Sequence, residues 1–450
     1  MRRWKSFVQA GLLLGALLVW TLATLGAHTE FRPGNRGGWF QSKYTREGMA
    51  AALKRYGPQP GKVAPPSNRS AAPAAVTAIQ EGRRLFDHET FGGNGRTCKT
   101  CHSEETGTVS PRDAQLRFAQ DPSDPLFVHD GSDDDDGDGF GDGQHVTRML
   151  DSATILMRIA LHPNVSLQSD PLARFVTVRR GIPTTLNTPA LDPVLMLDGR
   201  QPSLESQALG AITDHAQATR SVQASELALI KKFQQESGRF FTSDALKLFA
   251  SGGPAPQLPA GRTPSEQRGR VFFEDLPPDF SVTPPNFKPG LCAACHSGPL
   301  LNRTNQFLPV PIPPGSRFQS VLVSELNEGG NPPINFVFHN QNVPGGTIVL
   351  PSPDPGRALI TGRADDSDPT SPSSTFDNLN AFKISPLRGI SRTAPYFHDN
   401  SAKTLEDVAE HYRLFFAIVS DPDGPGPQPP LILLTDQDKK DIVAFLKLLN

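Results

Sequence analysis

The sequence contains few of the residue types that redox proteins often use as ligands or electron relays. Among 450 residues there are four Cys, five Met, four Tyr and three Trp. All three Trp lie within the first 40 residues, and no Met follows Met196. Chemistry beyond that position cannot depend on an indole or a thioether of this chain.

The chain also lacks a surplus of charge of either sign. Lys and Arg total 44 against 46 Asp and Glu, which gives a net charge of -2. Proteins that bind nucleic acid through its phosphates need a basic surplus, so nucleic acid is excluded as a partner. Pro (44) and Gly (39) are abundant, which predicts long connections between elements.

The N-terminus is typical of an exported protein. A basic start, MRRWK, precedes an apolar run that ends in small residues near position 27. This order predicts a signal peptide at 1–27, removed from a periplasmic protein. An uncleaved membrane anchor is the alternative, because the run is almost long enough to span a bilayer. The Pro-, Gly- and Ala-rich segment 28–75 is predicted to be a tether.

All four cysteines belong to two C-x-x-C-H motifs. The residues are Cys98, Cys101 and His102 in the first motif, and Cys292, Cys295 and His296 in the second. Two disulfides or a zinc site would not explain a His directly after both pairs. The pattern is typical of c-type haem attachment, in which two thiols bond to the vinyl groups and the His ligates iron. We therefore predict two covalently bound haems, with His102 and His296 as proximal ligands.

The two motifs fall into two predicted domains. The Gly- and Pro-rich stretch at 251–261 is the best boundary, which gives an N-terminal haem domain at 76–255 and a C-terminal one at 256–450. The first carries an acidic insertion at 110–145, and the second a loop insertion at 301–380 with short β-like runs. Apolar periodicity predicts helices near 75–86, 148–161, 203–212, 224–250 and 264–274, and from 404 and 435.

Several segments, taken in order, resemble the bacterial di-haem cytochrome c peroxidase family, which includes the MauG-type enzymes. They are GRRLFDHETFGGNGRTCKTCH at 82–102, RGIPTTLNTPALDPVLMLDGRQPSLESQALG at 180–210, GRVFFEDLP at 269–277, CAACHSGPL at 292–300, FKISPLRGISRTAPYFHDNSAKTLEDVAEHY at 382–412 and LTDQDKKDIVAFLKLL at 434–449. The resemblance implies a mainly α fold of two cytochrome-c-like haem domains, with long loops and a few short strands.

The same resemblance implies an activity and partners. In the family, the N-terminal haem reacts with hydrogen peroxide and the C-terminal haem relays electrons. The donor would be a small periplasmic cytochrome c or cupredoxin, or the reductant would be an organic or protein substrate as in MauG-type enzymes. A homodimer is a further expectation. A di-haem electron carrier without catalysis and an oxygenase similar to the di-haem rubber oxygenases are the alternatives.

The sixth ligand of the second haem is the first departure from the family pattern. Classical family peroxidases place a methionine in the helix after the TAPYFHD segment, and this domain has none. The resemblance puts Tyr412 at that position, as in MauG-type enzymes. A core tyrosine on the apolar helix face is the alternative. His411 is a neighbouring ligand candidate that falls on a different face of the helix.

The pocket of the first haem also departs from the family pattern. The family has a glutamate seven residues after an ALG-like turn, and the matching residue here is Gln217, whose amide cannot shuttle a proton. His215, two residues earlier, is the candidate acid and base, with an ordinary loop histidine as the alternative. His129, His145 and His162 are candidates for the distal ligand, and an open position is the fourth possibility.

The resemblance also concerns groups around the haems. Leu197 stands where the family has a tryptophan between the haems, so the usual indole relay is absent. Arg200 and Arg388 match family arginines that could pair with haem propionates, or could form structural salt bridges.

Two calcium sites are predicted. Asp134, Asp136, Asp138 and Asp142 alternate with small residues at the spacing of D-x-D-x-D-G loops, with a solvated acidic loop as the alternative. The resemblance also implies an inter-domain calcium at Thr393 and Pro395. The asparagine that usually completes this site is replaced by Gly181.

Overall fold

The computed structural model describes residues 72–128, 130, 145–307, 313–341, 343–364, 378–421 and 432–449. The predicted signal peptide and tether, His129 and the acidic loop with its four aspartates lie outside these residues. The described part is mainly α-helical, with seven short strands, which confirms the predicted fold class. Within it, no helix is long and apolar enough to cross a membrane.

The helices of the N-terminal half include the first haem motif and lie on both sides of it in the sequence. They are α1 Ala72–His88, α2 Cys98–Cys101, α3 Pro111–Gln120, α4 His145–Ser152, α5 Thr188–Leu191, α6 Leu204–Asp214, α7 Ala224–Glu236 and α8 Asp244–Ala250. The C-terminal half contributes α9 Pro264–Val271, α10 Val323–Leu326, α11 Ala358–Thr361, α12 Leu405–Val419 and α13 Asp436–Leu446. The last two begin at the predicted caps, where Thr404 and Thr435 accept from the backbone N–H three residues on.

Helix α1 crosses α7 at a glycine. A Cβ on Gly82 would lie 2.2 Å from the carbonyl oxygen of Leu229, so only glycine lets the two backbones approach this closely. One turn later the buried ring of Phe86 packs edge-on against Phe233, with 5.7 Å between ring centroids. This crossing forms the core under the first haem motif.

The C-terminal half repeats the crossing with α9 and α13. A Cβ on Gly269 would lie 1.9 Å from the carbonyl oxygen of Asp441. Phe273, again four residues later, stacks on Phe445 at 5.2 Å. Both glycines open a G-R-x-x-F sequence on the helix that precedes a haem motif. The two halves therefore share one helix-crossing unit.

The strands form a layer that both predicted domains build. β1 (Thr154–Ala160) pairs antiparallel with β3 (Phe175–Gly181). β2 (Val165–Leu167) pairs with β5 (Ile334–His339), which pairs with β6 (Thr347–Ser352). The predicted loop insertion thus adds strands to a sheet begun by the N-terminal half. β4 (Phe318–Gln319) and β7 (Phe382–Lys383) form a separate short ladder.

The predicted helix at 148–161 is wrong in its second half. Helix α4 ends at Ser152, Ala153 adopts a left-handed φ of 51°, and Thr154–Ala160 is β1. This segment contains β-branched residues, and it is mostly buried, with only Arg158 and Ala160 exposed. A continuous apolar run of this length fits a buried strand as well as a helix, and tertiary pairing with β3 decides between them.

Candidate haem sites and the first-haem cavity

The first C-x-x-C-H motif presents its histidine in the form that binds iron. The Nδ1–H of His102 donates to the carbonyl oxygen of Gly107 at 2.8 Å, which leaves Nε2 with its lone pair. Burial lowers the pKa of His102, so the ring is neutral at pH 7. A neutral imidazole with a fixed tautomer is what axial ligation requires.

The second motif repeats this arrangement. Nδ1 of His296 donates to the carbonyl oxygen of Leu301 at 2.8 Å, again five residues along the chain. Burial lowers the pKa of His296 to about 4. All four cysteines are free of disulfides, and burial raises the pKa of each thiol. The disulfide alternative is therefore excluded, and both motifs fit covalent haem attachment.

A cavity opens over the first motif. Cys98, Cys101 and His102 line it. All three methionines of the described part, Met149, Met157 and Met196, also line it, along with many aliphatic side chains. The thiols, the histidine and this apolar wall fit a haem, which would be held by Cys98, Cys101 and His102.

His215 lines the same cavity at the end of α6. Its Nδ1 donates to the carboxylate of Asp130 at 3.0 Å. The buried carboxylate of Asp130 also pairs with Arg96, whose Nη1 donates to the backbone oxygen of His215 at 3.2 Å. Asp130 thereby fixes one ring nitrogen as a donor and leaves Nε2 as the atom able to accept a proton. The sequence does not point to Asp130, which stands in no recognisable motif, and it gives no role to Arg96, although Arg96 lies in the family-like segment 82–102.

Gln217 takes no part in this arrangement. Its backbone has a left-handed φ of 51°, and its side-chain oxygen accepts from Nδ2 of Asn94 at 3.3 Å. It is not among the residues that line the cavity. Of the two predicted catalytic residues, the structure therefore brings only His215 to the first haem site.

Two candidate distal ligands lie elsewhere. His145 is buried, its Nε2 donates to the carbonyl oxygen of Leu126 at 2.9 Å, and it does not line the cavity. His162 packs its ring against Gly362 next to the sheet. His129 lies outside the described residues. Neither placed histidine reaches the first haem site in this arrangement.

A buried ion-pair network closes another wall of the cavity. Arg180 holds Asp354 through two bonds of 2.6 and 2.9 Å, and its Nη1 donates to Asp198 at 2.5 Å. Nη1 of Arg200 lies 3.0 Å from both oxygens of Asp198. Burial alone would raise the pKa of Asp198, but Arg180 and then Arg200 outweigh it and hold the pKa at about 2. Arg180 and Arg200 both line the cavity. Arg200 forms a salt bridge with Asp198, and its pairing with a propionate stays a prediction.

Arg388 has different partners. Its Nε donates to the carbonyl oxygen of Pro299 at 3.2 Å, and its Nη2 to those of Pro256 and Gln257 at 2.8 and 3.1 Å. It therefore ties the predicted domain boundary to the second haem segment. These partners are backbone carbonyls, and the pairing of Arg388 with a propionate stays a prediction.

Tyr412 lies at the second haem site. Burial raises the pKa of its phenol, and the nearby Cys295 and Cys292 add to the rise. Its neighbour His411 faces away, since Nε2 donates to the carbonyl oxygen of Val321 at 2.8 Å. The helix α12 thus directs the tyrosine, and not the histidine, toward the second haem motif.

Gly181, which stands in place of the asparagine expected at the inter-domain calcium site, lies against Asn400. A Cβ on Gly181 would lie 2.1 Å from Oδ1 of Asn400, so the Asn400 amide fills the adjoining space. Nδ2 of Asn400 donates to the carbonyl oxygens of Ser152 and Ala153 at 2.9 and 3.0 Å. Thr393 Oγ1 donates to Ile390 at 3.2 Å. In the part of the chain that the structure covers, no three His, Cys, Asp or Glu side chains form a metal cluster.

Two partly buried C-x-x-C-H motifs in one mainly α-helical chain are typical of a di-haem c-type cytochrome. The family model described as di-haem cytochrome c peroxidase matches residues 77–248. The predicted resemblance is confirmed over that segment, which is less than half of the chain. This family implies two c-type haems as cofactors.

Individual relatives are more distant. The cytochrome c551 peroxidase of Nitrosomonas europaea is 25% identical over 234 residues, which cover 51% of this chain and 56% of that protein. The chain thus spans little more than half the length of the curated relative that it matches. A MauG-like protein associated with microbial copper homeostasis is 20% identical, with a TM-score of 0.42 and coverage of 86% of this chain and 91% of that one. The diheme peroxidase BthA from Burkholderia thailandensis is 15% identical, with a TM-score of 0.39 and coverage of 83% and 86%.

Proposed function

We propose that this protein is a periplasmic di-haem oxidoreductase that reduces hydrogen peroxide at the first haem with electrons relayed from the second. The observation that carries the proposal is the His215–Asp130–Arg96 arrangement at the wall of the first-haem cavity. It supplies a fixed proton carrier in a chain that has Gln217 where the family resemblance implies a glutamate.

The reaction consumes one peroxide, two electrons and two protons and yields two waters. The bound haem supplies one-electron redox chemistry and a position at which peroxide can bind. His215 accepts the proton of the near peroxide oxygen at Nε2 and delivers it to the far oxygen as the O–O bond breaks. Asp130 keeps Nδ1 as the donor and stabilises the charged ring while it holds the proton. Arg96 pairs with the Asp130 carboxylate and balances its negative charge.

The reductant and the location belong to the same proposal. A small periplasmic cytochrome c or cupredoxin would deliver electrons to the second haem, in keeping with the family to which residues 77–248 belong. The apolar N-terminal run supports export.

A second function is favoured by Tyr412. A phenolate is a hard anionic donor that stabilises ferric iron, so a tyrosine-ligated second haem would be a poor acceptor from an ordinary cytochrome. This position supports oxidation of an organic or protein substrate by the peroxide-charged enzyme, as in MauG-type enzymes. Turnover with reduced cytochrome c separates the two, because only the first function consumes that donor.

The experiment for the first function compares His215→Gln with His88→Gln, a change at an exposed histidine at the end of α1. Removing a general acid–base group should slow peroxide-driven oxidation of the reduced protein by about 10²–10⁴-fold. The control should react at the wild-type rate, and both variants should keep the wild-type absorption spectrum of the two haems. Equal rates for His215→Gln and wild type would remove His215 from the reaction.

A further inference from the structure

The two haem sites need a connection for electrons, and the described part of the chain contains no tryptophan to provide it, since all three precede residue 40. The segment between the sites contains other aromatic rings. Their contacts run from the second haem site to the wall of the first-haem cavity without leaving the described residues.

The path begins at the second haem site. Tyr412, which lies near Cys292 and Cys295, contacts the ring of Phe397, with 6.5 Å between ring centroids. Phe397 is bonded through the main chain to His398. The first two rings are therefore in contact, and the step to the third passes through one peptide unit.

The centre of the path is a stacked pair. The His398 and Phe382 rings are parallel within 8°, and their centroids are 3.8 Å apart. His398 is 4% exposed and is kept neutral because burial lowers its pKa. Rings at this separation are in van der Waals contact over their whole faces, so no gap interrupts the path.

The path ends at the first-haem cavity. The Arg180 guanidinium lies over the Phe382 ring at 5.6 Å and lines the cavity. Lys383, the next residue after Phe382, also lines the cavity, and its backbone N–H donates to the carbonyl oxygen of Leu197 at 2.7 Å. Two covalent or packed steps therefore connect the stack to the cavity wall.

We propose that the stacked His398–Phe382 pair, reached from Tyr412 through Phe397, is the electron relay between the two haem sites of this chain. Each transfer moves one electron from the second haem to the first, and two such transfers match the two electrons that one peroxide accepts. The inference rests on the proposed function only for the direction of transfer. The connection itself is testable without peroxide.

The test uses the complete holoprotein and a fast electron source. Pulse radiolysis places one electron on the protein, and absorbance changes follow its redistribution between the two haems. The matched variants are His398→Leu against His398→Phe, and Phe382→Leu against Phe382→Tyr. The aromatic replacements keep the ring contact, and the leucines remove it at similar volume. Phe415→Leu is the off-path control, since this ring also contacts Tyr412 but contacts neither member of the stack.

We expect the two leucine variants to redistribute the electron about tenfold or more slowly, which corresponds to about 1.4 kcal/mol of activation free energy. The aromatic variants and Phe415→Leu should match wild type, and equilibrium titration should show unchanged midpoint potentials of both haems. Wild-type transfer in His398→Leu and Phe382→Leu, or equal slowing by leucine and aromatic replacements, would overturn the relay. If peroxide fails to react while the leucine variants still slow the transfer, only the proposed function is lost.

Discussion

The helix crossing at Gly269 allows a quantitative prediction. Changing Gly269→Ala places a methyl group 1.9 Å from the Asp441 carbonyl oxygen and 2.9 Å from the Phe445 Cβ. These contacts are with backbone and with the first carbon of a buried side chain, so no side-chain rotation relieves them. Overpacking of this kind costs about 1–3 kcal/mol, and the short distance favours the upper end. The better helix propensity of Ala returns about 0.5–1 kcal/mol, which leaves a net loss of about 2 kcal/mol.

The matched control is Gly210→Ala. Gly210 also lies in a helix, α6, where it lines the first-haem cavity, and the protein atom nearest to the added methyl group is the flexible end of Gln201 at 3.4 Å. This change should stabilise the protein by a few tenths to about 1 kcal/mol, because only the propensity gain remains. The two variants should therefore differ by about 3 kcal/mol.

The assay is guanidinium unfolding of the holoprotein, followed by haem absorbance and by far-ultraviolet circular dichroism. Gly82→Ala should behave as Gly269→Ala does, because its methyl would lie 2.2 Å from the Leu229 carbonyl oxygen. If Gly269→Ala and Gly82→Ala are as stable as Gly210→Ala, the shared crossing unit does not pack the two helices of each half as described.

Four further outcomes are expected. Tyr412→Phe should change the ferric absorption spectrum of the second haem, and His411→Gln, which loses a contact away from the haem, should leave it unchanged. The free energy of unfolding should fall by about 2 kcal/mol as the pH drops from about 4 to about 2, because the pKa of Asp198 is lowered in the folded protein and its stabilising contribution is lost on protonation. Urea titrations of Asp198→Asn should show a flatter dependence of the unfolding free energy on pH over this range. Asn400→Gly suits the left-handed φ of 59° and should cost about 1–2 kcal/mol of unfolding free energy through two lost hydrogen bonds, and an unchanged midpoint would refute this role. Calorimetric titration of the full chain with calcium should detect a site that Asp136→Asn weakens, and identical isotherms would identify a solvated acidic loop.

The sequence predicts those site residues that lie close together along the chain. The two C-x-x-C-H motifs each place both cysteines and the proximal histidine in one short segment, and capping boxes locate the starts of α12 and α13. The family resemblance also predicts the fold class. The helices before the two motifs carry the same G-R-x-x-F sequence, in keeping with two similar helical halves. Position within a short motif is thus enough where neighbouring residues form the site.

Contacts between distant segments are not readable in this way. Asp130 lies 85 residues from His215, and Asp354 lies 174 residues from Arg180. Each is one acidic residue among 46 in the sequence, and no local pattern marks it. The segment Thr154–Ala160 is likewise not recognisable as a strand from its own sequence. Only its pairing with the distant strand β3 distinguishes it from a buried helix.

The most direct test of the account is an anaerobic titration of the fully reduced protein with hydrogen peroxide, followed by the absorption bands of both haems. Two electrons are stored in the reduced protein and one peroxide accepts two. We expect one equivalent of peroxide to oxidise both haems to completion, and His215→Gln to reach the same end point far more slowly. A reduced spectrum that persists after peroxide is added would contradict it and would favour a di-haem electron carrier.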